Sequence, residues 1–128
     1  MKKQILIVNH SKAIRFLLQT VMENEFQVQC ATDGYSAMRL LSKRNFPDLI
    51  ITDSQYPDME DWELIHHLSS NGIYSSIPII VLSGLSEDET TAKCQEYGVH
   101  KVFRKPFDPV DLISSVNEVV ESRTVKSV

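Results

Sequence analysis

Short runs of isoleucine, leucine and valine constrain the fold of this chain more than any other feature. The clearest runs lie at residues 5–8, 49–51 and 79–82, and they lack the apolar and polar alternation of a half-exposed strand. Continuous apolar runs of this length are typical of parallel strands that are buried on both faces of a sheet. Weaker candidates for strands lie at residues 27–31 and 99–103.

The segments between these runs carry apolar side chains three and four residues apart, which is the spacing of one helix face. Ser86 opens a Ser-Glu-Asp-Glu capping box and Asp108 precedes a proline, so both mark helix starts. Ser11 and Asp33 fit helix caps, and Gly98 fits a helix end. Five strand–helix units in a row therefore predict one α/β domain, with helices on both faces of a parallel sheet.

Charge, hydropathy and cysteine spacing limit what this chain can contact. The formal net charge is −4, so we expect no direct binding to nucleic acid. The apolar runs are far shorter than the ~20 residues that span a bilayer, and we expect a cytoplasmic protein that contacts no membrane. Cys30 and Cys94 have no ligand-like spacing, which favours buried free thiols. We place the domain at residues 1–121 and assign residues 122–128, which show no periodicity, to a C-terminal tail or the start of a linker.

Polar residues follow four of the predicted strands. Asn9 and His10 follow the first, Asp53 the third, Ser83 the fourth and Lys105 the fifth. Ligands of open parallel sheets bind beyond the carboxyl ends of the strands, so we expect these side chains to line one crevice. A carboxylate, a hydroxyl and an ammonium group together suit the acceptance of a phosphoryl group, which depends on positioning and charge neutralisation.

Nucleotide-binding enzymes are the other class of protein that such a sheet suggests. They need a glycine-rich turn after the first strand or a Walker-type Gly-Lys-Ser/Thr motif, because the backbone must approach the phosphates closely. Residues 9–12 contain no glycine, and the Walker motif does not occur in the sequence. Both alternatives are therefore excluded.

With these motifs in order, the chain resembles the receiver domain of two-component response regulators over about residues 4 to 121. The resemblance implies a flavodoxin-like (βα)5 fold with strand order 2-1-3-4-5. It also implies a signal-transduction phosphoprotein that is no enzyme beyond catalysing its own phosphorylation and dephosphorylation. The resemblance is carried by residues 5–8 and 50–53, Pro57-Asp58-Met59, residues 81–84 and Lys105-Pro106-Phe107.

The resemblance assigns a role to each polar residue. It makes Asp53 the phosphoacceptor, which takes the phosphoryl group from a histidine kinase or a phosphotransfer protein. Ser83 would hydrogen-bond a phosphoryl oxygen, and Lys105 would pair with the carboxylate and then with the phosphate. The bond between Lys105 and Pro106 is expected to be cis, and the backbone carbonyl of Gln55 would be a metal ligand. Receivers of this kind often form homodimers through the last two helices.

Asn9 and His10 stand where typical receivers carry two acidic residues that bind Mg²⁺ together with the phosphoacceptor. Such a pocket, with its lysine, has a charge of about −2, which a divalent ion neutralises. Asp53 and Lys105 alone sum to zero, so we expect weak or lost Mg²⁺ binding. Three hypotheses follow. The domain is a phosphorylation-independent interaction module, or a protonated His10 assists phosphorylation, or His10 and Asp53 bind a softer metal such as Zn²⁺.

Two further positions depart from the family pattern. Val102 replaces an aromatic residue whose rotamer follows the hydroxyl residue on activation, and valine cannot make that movement. Phe103 is adjacent, but successive residues of a strand point to opposite faces. Asp61 stands where the family has a glycine, and a positive φ costs aspartate more than glycine.

The segment at residues 57–63 is acidic around Trp62. This pattern favours a solvated helix start, where acidic side chains interact well with the helix dipole. The alternative is a docking patch on which Trp62 anchors a partner. His66 and His67 follow, and we expect both on the surface.

Overall fold

Strands and helices alternate along the computed structural model, which describes residues 2–44 and 46–126. Within those residues the strands are β1 Gln4–Val8, β2 Gln27–Ala31, β3 Leu49–Asp53, β4 Ile79–Ser83 and β5 Lys101–Arg104. The helices are α1 Lys12–Met22, α2 Gly34–Leu41, α3 Glu63–Ser70, α4 Glu87–Tyr97 and α5 Pro109–Lys126. The apolar runs and the helical segments of the sequence are thus confirmed, although some strand ends are shifted by one or two residues.

The strands form a parallel sheet, as the sequence predicted, in the order β2-β1-β3-β4-β5 that the resemblance implied. Val8 pairs with Thr52 across β1 and β3, and Ser83 pairs with Arg104 across β4 and β5. Because all strands are parallel, their carboxyl ends meet at one edge of the sheet. The chain order reverses between β1 and β3, and the crevice for a ligand opens at such a reversal.

Helices cover both faces of the sheet and explain the continuous apolar runs. Every residue of β3 and β4 is buried, whereas the edge strand β2 alternates between buried or half-buried and exposed positions. Residues such as Leu6 and Ile50 pack against α2 and α3 on one face. Ile7 and Ile51 pack against α1 and α5 on the other face.

The predicted caps set the helix starts. Asp33 accepts a hydrogen bond from the Ser36 N–H at 2.8 Å, and hydrogen bonding from the Ser36 side chain first, and then from this N–H, lowers the pKa of Asp33. Ser11 and Ser86 accept in the same way from the N–H of the residue three positions later, at 3.2 and 3.3 Å. Gly98 ends α4 with a φ of 67°, which glycine adopts without steric cost.

The last helix runs past residue 121, while the division of the chain at that residue stays a prediction. The sequence predicted a tail or linker from residue 122, but α5 continues to Lys126. This segment carries neither glycine nor proline, so nothing in it stops a helix. Residues 127–128 lie outside the described residues. Among the helices that the structure describes, none is long and apolar enough to cross a membrane.

Cys30 and Cys94 are free, as expected, but each is only half-buried. Partial burial raises the pKa of both thiols, so they are weaker nucleophiles than exposed cysteines. Cys30 lies on β2 and Cys94 on α4, and we assign no function to them.

Two neighbouring leucines of α1 test the core. Leu18 is fully buried and Leu17 is 39% exposed. We expect Leu18→Ala to lower the free energy of unfolding by about 2–5 kcal/mol, because it removes apolar contacts and leaves a cavity. Leu17→Ala makes the same chemical change in the same helix and should cost less than about 1 kcal/mol. Urea unfolding measures both, and equal losses would contradict this packing of α1.

Candidate functional site

Asp53 ends β3 and is 6% exposed, so its carboxylate lies in a nearly closed crevice. Its Oδ1 accepts hydrogen bonds from the backbone N–H groups of Ser54 at 2.7 Å and Gln55 at 3.2 Å. Its Oδ2 forms an ion pair with Lys105 Nζ. Both carboxylate oxygens of Asp53 are therefore held by neighbouring groups.

Lys105 reaches this carboxylate from the residue after β5. Its backbone N–H donates to the Ser83 carbonyl at 2.9 Å and its side chain is 30% exposed. The bond between Lys105 and Pro106 is cis, as expected. Since Lys105 keeps a partly exposed and flexible stem, its ammonium group can follow a charge that moves from the carboxylate to a bound ligand.

Ser83 ends β4 and is fully buried. Its Oγ lies 2.9 Å from the Thr90 hydroxyl and accepts from the Leu85 N–H at 3.1 Å. The Ser54 hydroxyl lies between Ser83 and Asp53, at 3.4 and 3.5 Å. The structure thus brings together the three residues that the sequence selected, and it places Ser83 one hydroxyl away from the carboxylate.

Tyr56 is a site residue that sequence reasoning missed. Its hydroxyl accepts from the Asp53 N–H and donates to the Val8 carbonyl, each at 2.8 Å, and it contacts the Thr52 hydroxyl. Burial raises the pKa of Tyr56 far above its usual value, so the phenol stays protonated. The phenol thereby joins the ends of β1 and β3. A tyrosine in a loop gives no sign of this, because the contact depends on how the loop folds back.

The loop after β1 holds the two atypical residues in different environments. Asn9 is 1% exposed, and its Oδ1 accepts from the Ser11 N–H at 2.9 Å. His10 is exposed. The Arg15 guanidinium, which the sequence did not reveal, donates to the carbonyls of Asn9 at 2.8 Å and His10 at 3.1 Å. Only Asn9 is thus built into the crevice.

These side chains do not suit Mg²⁺, which prefers oxygen ligands in octahedral geometry. Asn9 Oδ1 is already engaged by Ser11, and Asp53 Oδ2 is engaged by Lys105. Within residues 2–44 and 46–126, no three His, Cys, Asp or Glu side chains form a group that could hold a metal ion. The same finding leaves the Zn²⁺ hypothesis for His10 and Asp53 without a third ligand in the part of the chain described. The role of the Gln55 carbonyl as a metal ligand stays a prediction.

The loop between β3 and α3 contradicts the hypothesis that Trp62 anchors a partner. Trp62 is 3% exposed and packs in the core beside Tyr56 and Leu64, so its ring is unavailable as an anchor for a partner. The positive φ lies at Trp62, with a value of 68°, rather than at Asp61. Trp62 adopts it because its backbone N–H closes the loop by donating to the Ser54 carbonyl at 2.8 Å.

The remaining predictions for the surroundings are confirmed. Val102 and Phe103 pack on opposite faces of the sheet, so Phe103 cannot take the place of the missing aromatic residue. His66 and His67 are exposed on α3. Among the residues that the structure describes, none of these side chains forms a hydrogen bond or an ion pair with Asp53.

Comparison with known proteins bears on this geometry. A family model described as the response regulator receiver domain matches residues 5–117. The probable transcriptional regulator ycf29 of Pyropia yezoensis is 30% identical over 124 residues, which cover 97% of this chain and 55% of that protein. The phosphate regulon transcriptional regulatory protein PhoB of Escherichia coli K12 is 31% identical over 121 residues, which cover 94% of this chain and 52% of that protein. The chain therefore spans about half the length of these curated relatives.

A solved structure also has the same fold as this chain. The signal receiver domain of a signal transduction histidine kinase from Syntrophus aciditrophicus superimposes with a TM-score of 0.83 at 30% identity. The match covers 94% of this chain and 91% of that chain. The order and packing of the elements are thus shared along nearly the whole domain.

Removing the Tyr56 hydroxyl tests how the strand ends are held. Tyr56→Phe leaves the Asp53 N–H and the Val8 carbonyl buried without this partner, so we expect a loss of about 1–3 kcal/mol in the free energy of unfolding. Tyr35 is 58% exposed, and Tyr35→Phe should change stability by less than about 0.5 kcal/mol. Urea unfolding at neutral pH measures both variants. Equal stabilities of the wild type and Tyr56→Phe would argue against this role.

The raised pKa of Tyr56 predicts a pH dependence of stability. Below the usual tyrosine pKa of 10.0 the phenol is protonated in both states, so its contribution is fully present. Above that pH the unfolded chain loses the proton while the folded chain keeps it, and stability falls. Between about pH 9 and 11, the wild type should lose stability more steeply than Tyr56→Phe. Parallel slopes in urea unfolding would contradict the burial of this phenol.

Proposed function

The chain belongs to the response regulator receiver domain family, and from that premise we propose that Asp53 accepts a phosphoryl group from a phosphohistidine of a partner protein. The observation that supports this most is the nearly buried carboxylate of Asp53, paired with Lys105 at the carboxyl edge of the sheet. A buried ion pair contributes little to stability compared with apolar packing, so its presence here favours a chemical role.

In the proposed reaction, a carboxylate oxygen of Asp53 attacks the phosphorus atom. The bond between phosphorus and the imidazole nitrogen of the partner breaks, and its electron pair stays on that nitrogen, which takes a proton from solvent. The product is an acyl phosphate on Asp53. Such transfers need positioning and charge neutralisation more than covalent catalysis. We therefore propose no catalytic activity beyond the domain's own phosphorylation and dephosphorylation.

Lys105 and Ser83 would stabilise the phosphoryl group. The Lys105 ammonium group would move from the carboxylate to a phosphoryl oxygen, which its exposed stem allows. The Ser83 hydroxyl would exchange its bond with Thr90 for one to another phosphoryl oxygen. Ser83 would gain a charged acceptor, which makes the new hydrogen bond stronger, while the buried Thr90 hydroxyl would lose Ser83 as its partner.

We further propose that this phosphorylation depends weakly on Mg²⁺. A typical pocket needs the ion to offset a charge of about −2, whereas the Asp53–Lys105 pair sums to zero. A phosphorylation-independent interaction module is the second candidate, because Asn9 and His10 stand where typical receivers carry the acidic pair that binds Mg²⁺.

The proposed partners are a histidine kinase or a phosphotransfer protein, and a second copy of the chain that pairs through α4 and α5. We propose a cytoplasmic location and no direct contact with nucleic acid. The curated relatives are about twice as long as this chain. We therefore assign no output to the whole protein.

Labelling with a small phosphodonor tests the function. The wild type is incubated with the donor in Mg²⁺ or in EDTA, and the intact mass is followed for the gain of one phosphate. We expect labelling in both conditions, with less than about a ten-fold difference in rate, and none in Asp53→Asn. A wild type that stays unlabelled in both would support the interaction module.

A second variant tests why Mg²⁺ is dispensable. Asn9→Asp combined with His10→Asp restores the acidic pair, so labelling should become dependent on Mg²⁺ by about ten-fold or more. His66→Asp combined with His67→Asp is the matched control, since it places the same two negative charges on exposed histidines of α3. If the double variant is as independent of Mg²⁺ as the wild type, the charge account is wrong.

A further inference from the structure

Asn9 carries a buried donor that the proposed function has not used. The side chain is 1% exposed directly after β1, and its Oδ1 accepts from the Ser11 N–H at 2.9 Å. Its Nδ2 is also buried and has no hydrogen-bond partner among the residues described. Native proteins rarely leave a buried donor without an acceptor, and where they do, a bound ion, a water or a functional role commonly explains it.

The bond with Ser11 fixes the orientation of the amide. Turning the Asn9 amide by half a rotation would exchange its oxygen and nitrogen. The NH₂ group would then face the Ser11 N–H, donor against donor, and that hydrogen bond would be lost. The nitrogen is therefore the buried atom with two hydrogens to donate.

The sheet places this amide beside the phosphoacceptor. Val8 pairs with Thr52, so the residues that follow them, Asn9 and Asp53, are neighbours at the strand ends. The Tyr56 hydroxyl bonds to the Val8 carbonyl and to the Asp53 N–H, and it keeps the two ends together. The donor and the carboxylate thus belong to one rigid part of the molecule.

The charge at this place favours an anion over a cation. Asp53 and Lys105 form a neutral pair, and Asn9 adds hydrogen-bond donors without charge. A phosphoryl group brings a charge of about −1.5 to −2, and it needs donors for its oxygens. An acidic side chain in place of Asn9 would repel it unless a metal ion intervened. Hydrogen bonds to ionised oxygens are also about twice as strong as neutral ones.

We propose that Asn9 Nδ2 donates a hydrogen bond to an oxygen of the phosphoryl group on Asp53. The amide thereby supplies part of the stabilisation that a metal ion gives in typical receivers. This inference rests on the proposed phosphoacceptor role, and it adds Asn9 to the groups that touch the ligand. The ligand class is a tetrahedral phosphoryl oxyanion.

Asn9→Asp tests the donor with little change of shape. The variant keeps an oxygen for the Ser11 N–H and replaces the NH₂ group with a charged acceptor. We expect its labelling by the small phosphodonor in EDTA to be about ten-fold slower or more than that of the wild type. Asn71→Asp is the matched control, because Asn71 Oδ1 accepts from the Ile73 N–H at 2.9 Å in the same local turn after α3. It should label at the wild-type rate.

The side-chain amide of Asn9 gives a direct readout in the full chain. Its ¹H–¹⁵N resonances are assigned by their loss in Asn9→Asp and followed during labelling in EDTA. We expect them to shift, and the amide of Asn71 to stay in place. Resonances of Asn9 that do not move in fully labelled protein would overturn the inference, whatever the rates.

A titration with inorganic phosphate separates this inference from the proposed function. If the wild type is not labelled, the phosphoacceptor role fails, and the metal-free titration alone decides about Asn9. A saturable shift of the Asn9 amide would then retain it as a phosphate-binding donor. An unmoved amide would overturn that role as well.

Discussion

The in-register pairing of β1 with β3 is the constraint on which the site depends. It brings the residues after Val8 and Thr52 to one edge, and the pairing of β3 with β4 adds Ser83. Parallel strands buried on both faces cannot slip by one residue without exposing their apolar side chains. The core therefore holds the polar residues of the crevice in place, and the Tyr56 hydroxyl adds a polar bond between the strand ends.

Charge balance follows from that geometry. A nearly buried carboxylate needs compensation, and Asp53 receives it from one ammonium group and two backbone N–H groups. These groups offset the negative charge of the carboxylate within the described residues. The neutral Asn9 is consistent with this balance, whereas two further carboxylates would overturn it. The neutral Asn9 and the Lys105 ammonium group thus belong to one electrostatic arrangement around Asp53.

Apolar runs and cap residues made the fold predictable, because burial on both faces and helix starts leave local signals such as residues 79–82 and Ser86. Asp53 and Lys105 were predictable because strand ends converge in a parallel sheet. Tyr56 and Thr90 were not, since their hydroxyls act through contacts between a loop or helix turn and a strand. Trp62 was misjudged for the same reason: its acidic neighbours in sequence suggest a surface, while the folded loop buries its ring.

Ser83 has a contact with a helix at the surface even though Val102 stands in place of the family's aromatic residue. Valine has no hydroxyl or ring that could follow a movement of Ser83, but Ser83 already bonds to Thr90 in the first turn of α4. Both residues are buried, so a rotation of Ser83 toward Asp53 leaves the Thr90 hydroxyl in need of another partner. The Ser83–Thr90 hydrogen bond therefore links the end of β4 to the first turn of α4 without any side chain of β5 as an intermediate.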